Sequence, residues 1–232
     1  HPQHRRQRQM CIRDRYSLKV VFELIRFVKH KVSTLAFFLP GIVSAIVKLL
    51  HSSKNEWIDD LAIEQCLYCL SEIVCCVLSE DAQHREDWIQ GKEVNLPSLN
   101  VTASPFTIKY SKVWFDDTVS KVTSVLNSTV PIFANHAHAT VRKACAAFSA
   151  TVLEHCKETL PESQRILLET LLSLSNDSWE LVSAFAKGEI DHLKEKNLIP
   201  LEMIKVILKA DLGFDSTTSK SYSSFFYQEN EM

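Results

Sequence analysis

Cys66-Leu-Tyr-Cys69 followed by Cys75-Cys76 puts four thiols within eleven residues. A CxxC pair signals zinc when a second pair completes four ligands. All four cysteines fall in one apolar stretch of helical period, with no loop to wrap a metal. They read as small buried hydrophobes, and no metal or cofactor is expected. His136 and His138 share a polar turn, and His155-Cys156 closes a helical stretch. A cysteine–histidine nucleophile needs convergence with a third, orienting group. No flanking sequence supplies an elbow or an oxyanion loop. Asp59-Asp60 and Asp116-Asp117 sit near helix starts, where the helix dipole favours negative charge without acid–base work. Trp57 and Trp114 read as core wedges. Asn100-Val-Thr and Asn127-Ser-Thr match the glycosylation sequon, but no secretory signal accompanies them. No catalytic residue is assigned, and the chain reads as a non-enzyme.

A second chemical candidate is RRQRQMCIRDR, residues 5–15, with five arginines in eleven residues. A basic arm of this kind binds phosphate by releasing counterions. The same residues back-translate without mismatch to a transposase adaptor used in preparing sequencing libraries. On that reading residues 1–15 are an artefactual, disordered tail, excluded from fold reasoning. The stretch carries five of the 26 basic and one of the 28 acidic residues. The rest therefore holds 21 and 27, and the net charge moves from −2 to −6. A mildly acidic chain makes no electrostatic case for nucleic acid.

Composition then constrains the elements. Only four of the 232 residues are glycine. Phosphate-cradling loops and tight hairpin turns need glycine for positive φ, so helices joined by short loops are expected. The six cysteines outside residues 5–15 lie in apolar helical stretches, which fits a reducing compartment. A cytoplasmic location is expected, with the nucleus as a further site. VSTLAFFLPGIVSAIV, 32–47, carries no charge, but a spanning helix needs about twenty apolar residues. Pro40-Gly41 sits in its middle, so a buried helix–turn–helix is expected rather than a membrane span.

Along the chain, residues 16–79 read as the first helical repeats. A helix from Tyr16 to Lys31 is followed by one that Pro40 opens, where the missing N–H costs little. HSSKNE, 51–56, is a polar turn, and a long helix runs from Trp57 to Leu78. The second half of that helix is apolar nearly all round, which implies burial on several sides. Residues 80–110 have no lasting period and read as a linker or flexible loop. Residues 111–212 return to order. Phe115, Val119, Val122, Leu126, Val130 and Phe133 form the clearest amphipathic stripe. Val141, Cys145, Phe148, Val152 and Cys156 repeat it. Pro161 opens another helix, Asp177 and Glu180 have the spacing of a capping pair, and the helix after them is expected to stop at Gly188. A last helix is expected from Pro200 to Leu212. Residues 213–232 read as a disordered tail. No alternating run suggests a strand. The fold class is all-α, a HEAT/armadillo-like α-solenoid of stacked helix hairpins.

ATVRKACAAF, 139–148, is the most specific local pattern, and it resembles the turn and second helix of a HEAT repeat. Val141 anchors the helix start in the core. Arg142 can reach neighbouring turns along the solenoid edge. Ala144 and Ala146 permit close helix approach. The aspartate expected three residues before the valine is His138, which leaves the inter-repeat ladder open. NDSWELVSAF, 176–185, is a fainter echo without the arginine.

FFLPGI (37–42), the helix after Trp57, KVWFDDTVSKV (112–122) and NHAHATVRKACAAF (135–148) together resemble the TEL-two-interacting protein one family, over roughly residues 20–188. That family is the HEAT-repeat subunit of the TTT co-chaperone complex. Its members are far longer, so the resemblance implies an internal fragment. It also implies a protein-interaction scaffold whose partners are the other TTT-complex subunits, the heat-shock protein 90 machinery and phosphatidylinositol 3-kinase-related kinases such as the mTOR and ATM types. Neither nucleic acid nor membrane is an expected partner. The alternative is a HEAT or armadillo module of another class, such as a transport receptor or the helical region of a large kinase. A solenoid piece without capping repeats exposes apolar helix faces at its ends. The isolated chain is therefore expected to aggregate or to melt broadly in calorimetry. A monomer with a sharp, high transition would contradict that expectation.

Overall fold

The computed structural model describes residues 2–52, 59–80 and 111–199, together with Ile204 and Ile207. Among the described residues seven α-helices are bounded: α1 Pro2–Phe27, α2 Val32–Ser52, α3 Asp60–Leu78, α4 Lys112–Ala134, α5 Ala139–His155, α6 Gln164–Leu174 and α7 Glu180–Glu195. A 3-10 turn, Pro161–Ser163, leads into α6. No strand occurs among the described residues. The expected linker falls almost wholly outside them, and the expected C-terminal tail does so entirely. Of the helix expected from Pro200 to Leu212, Ile204 and Ile207 are described, both helical and buried.

The helices form two layers. In one layer α1, α3, α5 and α7 lie side by side, and α2, α4 and α6 pack across them. The inner helices run parallel, as their cross-contacts show. The Cys69 thiol donates to the Leu18 carbonyl at 3.3 Å, and the Cys75 thiol to the Thr151 carbonyl at 3.7 Å. Between α5 and α7, Lys143 lies over the Phe185 ring at 5.1 Å, and Glu154 pairs with Lys196 just beyond α7. Both of those pairs are separated by 42 positions in the chain.

Burial explains the order. Leu67, Leu70, Ile73 and Val74 of α3 are essentially sealed, as are Val141, Cys145, Phe148 and Val152 of α5. Each middle helix is apolar on several sides and must be flanked by neighbours. The ends of α3 and α5 are also tied by polar bonds. The Glu80 N–H donates to the His155 carbonyl at 2.8 Å. The Thr159 hydroxyl donates to the Leu78 carbonyl at 2.7 Å.

Three expectations need correction. Residues 2–15 are helical, continuous with α1, instead of a tail without structure. Arginine, glutamine and methionine are good helix formers, and no breaker interrupts them after Pro2. The break at Pro40-Gly41 does not occur: α2 runs through both residues. Pro40 and Gly41 face solvent, while Leu35, Ala36, Leu39, Val43, Ile46 and Leu50 are buried. The carbonyl deprived of the proline N–H can turn toward water. By length and composition α2 and α3 could each cross a membrane. α3 is instead enclosed by α1, α2 and α5, and α2 lies along α3 by one face. Finally, α7 does not stop at Gly188 but continues to Glu195. Ile190 and Leu193 beyond it are buried. The helix ends where Asn197 takes φ 54°. The Leu198 N–H donates to Leu193 at 2.9 Å and the Asn197 N–H to Lys194 at 2.8 Å, the pattern of a Schellman stop.

Pro40 and Gly188 are thus helix-interior residues on a solvent face, and a Cβ at Gly188 meets nothing within 4 Å. Pro40→Ala is expected to stabilise the fold by roughly 1–3 kcal/mol. Gly188→Ala is expected to add about 0.5–1 kcal/mol. Urea unfolding measures both, and a loss of stability at either site would contradict the helix-interior assignment.

Candidate functional site

The start of α5 gathers the polar chemistry of the molecule. Ala139 opens the helix after His138, and Val141 beside them is fully buried. With Val141 pointing inward, Arg142 is turned along the edge where the inter-helix turns lie. Its Nε donates to Asp177 Oδ2 at 2.6 Å and its Nη2 to Asp177 Oδ1 at 2.9 Å. Its Nη1 donates to the carbonyls of His136 at 2.8 Å and Ala137 at 2.9 Å. One guanidinium therefore joins the α4–α5 turn to the α6–α7 turn. The planar fork suits this, because a carboxylate accepts two parallel N–H bonds from it.

The pair is largely withdrawn from solvent: the Arg142 side chain is 11% exposed and that of Asp177 7%. The hydrogen bonds from Arg142 hold the Asp177 carboxyl below its ordinary value, against desolvation, and the Trp179 N–H adds to the effect. The bond to Asp177 raises Arg142 in turn. The Trp179 N–H donates to Asp177 Oδ1 at 2.8 Å, so the aspartate also shapes the entry to α7. Asp177 does not cap the helix as part of a pair with Glu180. Trp179 holds the cap position, with no side-chain cap bond.

The edge continues toward α3. His138 Nδ1 lies 2.8 Å from Asp60 Oδ2 at the start of α3. The His138 N–H donates to His136 Nδ1 at 3.2 Å, which makes Nδ1 the unprotonated nitrogen of that ring. Desolvation lowers the His136 imidazole, partly offset by Asp60. Polar contacts thus run from Asp60 through the His136–His138 turn and Arg142 to Asp177. Sequence reasoning placed Arg142 on this edge but left its partner open. Ala144 and Ala146 are completely buried, and α5 packs against α3, α4, α6 and α7.

The other candidate constellations do not converge. Cys66, Cys69, Cys75 and Cys76 all lie on α3, the first two buried and the last two half-buried. Burial pushes the Cys69 and Cys76 thiols up to about 11. Contact with Cys156, then burial, raises Cys75 as well. His155 is exposed while its neighbour Cys156 is buried, so the two side chains part. Asp116 and Asp117 are exposed, and Asp117 pairs with Lys121 at 2.6 Å. Trp114 packs against the core, and Trp57 lies outside the described residues. Among the described residues, no group of three or more histidine, cysteine or acidic side chains is placed to hold a metal ion.

The edge just described is a joint between helix hairpins rather than a pocket. A family model described as the TTI1 N-terminal TPR domain matches residues 12–178. The chain belongs to that family. The match takes in α1 from Ile12 through the Asp177 turn, and so contains both sides of the Arg142 joint. No curated protein matches, and no solved structure matches. The family domain is a scaffold of helical repeats.

Removing the guanidinium leaves a nearly buried carboxylate with a single backbone donor. Arg142→Ala is expected to cost about 3 kcal/mol, the low end for breaking a buried pair. Arg142→Lys should recover part of that, since it keeps the charge but loses the fork. Asp177 adds a pH dependence. Its folded value lies below the ordinary 3.8, so its stabilisation is present above that value and is lost as pH falls through the folded one. Asp177→Asn should therefore be less stable than the parent chain at pH 7, with the gap closing below about pH 4. Urea titrations across that range measure it, and a gap independent of pH would contradict the assignment.

Proposed function

We propose that the chain is a non-enzymatic scaffold from a TTT-complex subunit, which supports the maturation and stability of phosphatidylinositol 3-kinase-related kinases together with heat-shock protein 90. The observation that carries this reading is the family match across residues 12–178. The mechanism is contact. A layer of parallel helices offers a broad face and two edges of turns, and the Arg142 joint fixes the angle at which successive hairpins meet. Partners are the other TTT-complex subunits, the heat-shock protein 90 machinery and the kinases themselves. No enzymatic step is assigned to the chain. The work is proposed to take place in the cytoplasm, with the nucleus as a second site.

The test is affinity purification of the full-length protein that carries this domain, under mild salt, with mass spectrometry of the eluate. The other TTT subunits are expected at near-stoichiometric amounts, with the chaperone and the kinases below them. Their absence from the eluate would overturn the proposal. Arg142→Ala is expected to reduce recovery of the partners in step with its loss of stability, and the conservative Arg142→Lys to restore part of it.

A further inference from the structure

One of the four cysteines on α3 meets a fifth from a neighbouring helix. Cys75, half-buried near the end of α3, faces Cys156, which is sealed at the end of α5. The Cys75 thiol lies 3.7 Å from the Thr151 carbonyl of α5, and the sulfur of Cys156 is in hydrogen-bonding contact with it. Ties that involve neither sulfur fix this meeting. The Thr159 hydroxyl donates to the Leu78 carbonyl at 2.7 Å and lies 3.2 Å from the Cys156 carbonyl. The Glu80 N–H donates to the His155 carbonyl at 2.8 Å. Leu78 is about one turn beyond Cys75, and His155 is next to Cys156, so both cysteines sit beside these ties. α3 and α5 pack directly. Packed helix axes lie about 8–10 Å apart, which brings facing Cα atoms within the span of a disulfide, roughly 4.4–6.8 Å. Cys156 is the cap of α5, with φ −127° and ψ 25°, so a small adjustment there leaves the helix intact. Cys76, about 100° further round α3, feels the charge of Lys29, just beyond α1.

We propose that Cys75 and Cys156 are a reversible redox pair, closed by a hydroperoxide into a disulfide that staples the ends of α3 and α5. Half-buried Cys75 is the thiol that oxidant reaches, and sealed Cys156 resolves it. The Cys75 thiolate attacks one peroxide oxygen. An S–O bond forms, the O–O bond breaks and the leaving oxygen departs as water, which leaves a sulfenic acid. The Cys156 sulfur then attacks the Cys75 sulfur. The S–S bond forms, the S–O bond breaks and the hydroxyl leaves as water with the Cys156 proton. Two thiols lose two electrons to one peroxide, and a dithiol returns them by exchange. Contact with Cys156, burial, and the nearby Cys76 and Glu72 hold the Cys75 thiol well above its ordinary value. Thiolate is therefore scarce at neutral pH, and the pair stays reduced until oxidant is sustained. The bond closes a long loop, from 75 to 156, and so stabilises the junction strongly. Oxidation then stiffens the α3–α5 junction. This goes beyond the scaffold reading and does not depend on which partners the scaffold holds.

The test takes the full-length protein, purified with reduced thiols, and exposes it to hydrogen peroxide. Remaining thiols are alkylated, and disulfide-linked peptides are mapped by mass spectrometry without reduction. The expected product is an intramolecular Cys75–Cys156 bond that dithiothreitol reverses. Amide hydrogen exchange at Ser79 and Glu80 should slow about tenfold in the oxidised form. Cys76→Ala should leave both results unchanged. Cys156→Ala should abolish the slowing and leave Cys75 as a sulfenic acid that dimedone traps. Cys75→Ala, at the less buried position, should leave Cys156 a free thiol after the same treatment. Circular dichroism checks that each variant is folded, and the mapping of the parent protein decides the matter by itself if one is not. Four outcomes would each overturn the proposal. These are no disulfide, a bond from Cys156 to Cys76 or between two copies, sulfinic acid on Cys75 beside a free Cys156, or a Cys75–Cys156 bond that leaves exchange at Ser79 and Glu80 unchanged.

Discussion

A helix that is apolar on more than one side cannot be satisfied by a single neighbour. α3 and α5 are such helices, with Leu67, Leu70, Ile73, Phe148 and Val152 essentially sealed. Each needs a parallel helix on both flanks and a hairpin partner across the layer. That requirement fixes the order α1, α3, α5, α7 in one layer and sets α2, α4 and α6 against it. Backbone hydrogen bonding adds little to this choice, because helices satisfy it internally. Side-chain burial selects the arrangement, and the polar ties at Glu80–His155 and Thr159–Leu78 lock its ends.

Apolar contact alone leaves helices free to slide and rotate by small amounts. The Arg142 joint narrows that freedom. Four N–H bonds from one guanidinium reach two turns, one at His136 and Ala137 and the other at Asp177. A bidentate bond is directional, so it sets the angle as well as the distance between hairpins. At the preceding junction a pair at the rim, His138 with Asp60, has the His138 side chain 63% exposed. The α3–α5 junction is held instead at its far end, by Glu80 with His155 and Thr159 with Leu78, and by its buried apolar face.

Much of the fold was legible in the residues themselves. The stripe from Phe115 to Phe133 announced α4, and Ser111 caps it by accepting from the Trp114 N–H at 3.1 Å. The apolar run after Trp57 announced a helix buried on several sides, and α3 is one. The misreadings of α2 and α7 share a cause. Pro40, Gly41 and Gly188 were taken as punctuation, yet each sits inside a helix. Local propensity costs of this size are outweighed when the residues on both sides bury apolar faces in a common core. The residues that line the Arg142 joint were half legible for a similar reason. Val-Arg before small residues is a local pattern, whereas the partner carboxylate is distant in the chain and its identity depends on how the hairpins stack.

By itself the sequence determined the class of the molecule. Scarce glycine, helical periods and cysteines set in apolar stretches point to an all-α chain, because those properties depend on residue type and near spacing. The tertiary structure decided the rest. It showed that α2 is one helix, that Arg142 finds Asp177, that Cys66 and Cys69 are sealed while Cys75 and Cys76 are half-buried, and that α1 keeps an apolar ridge turned away from its own core. Each of these depends on which faces meet across tens of residues. Packing complementarity selects such meetings globally, and no local window of sequence contains that information.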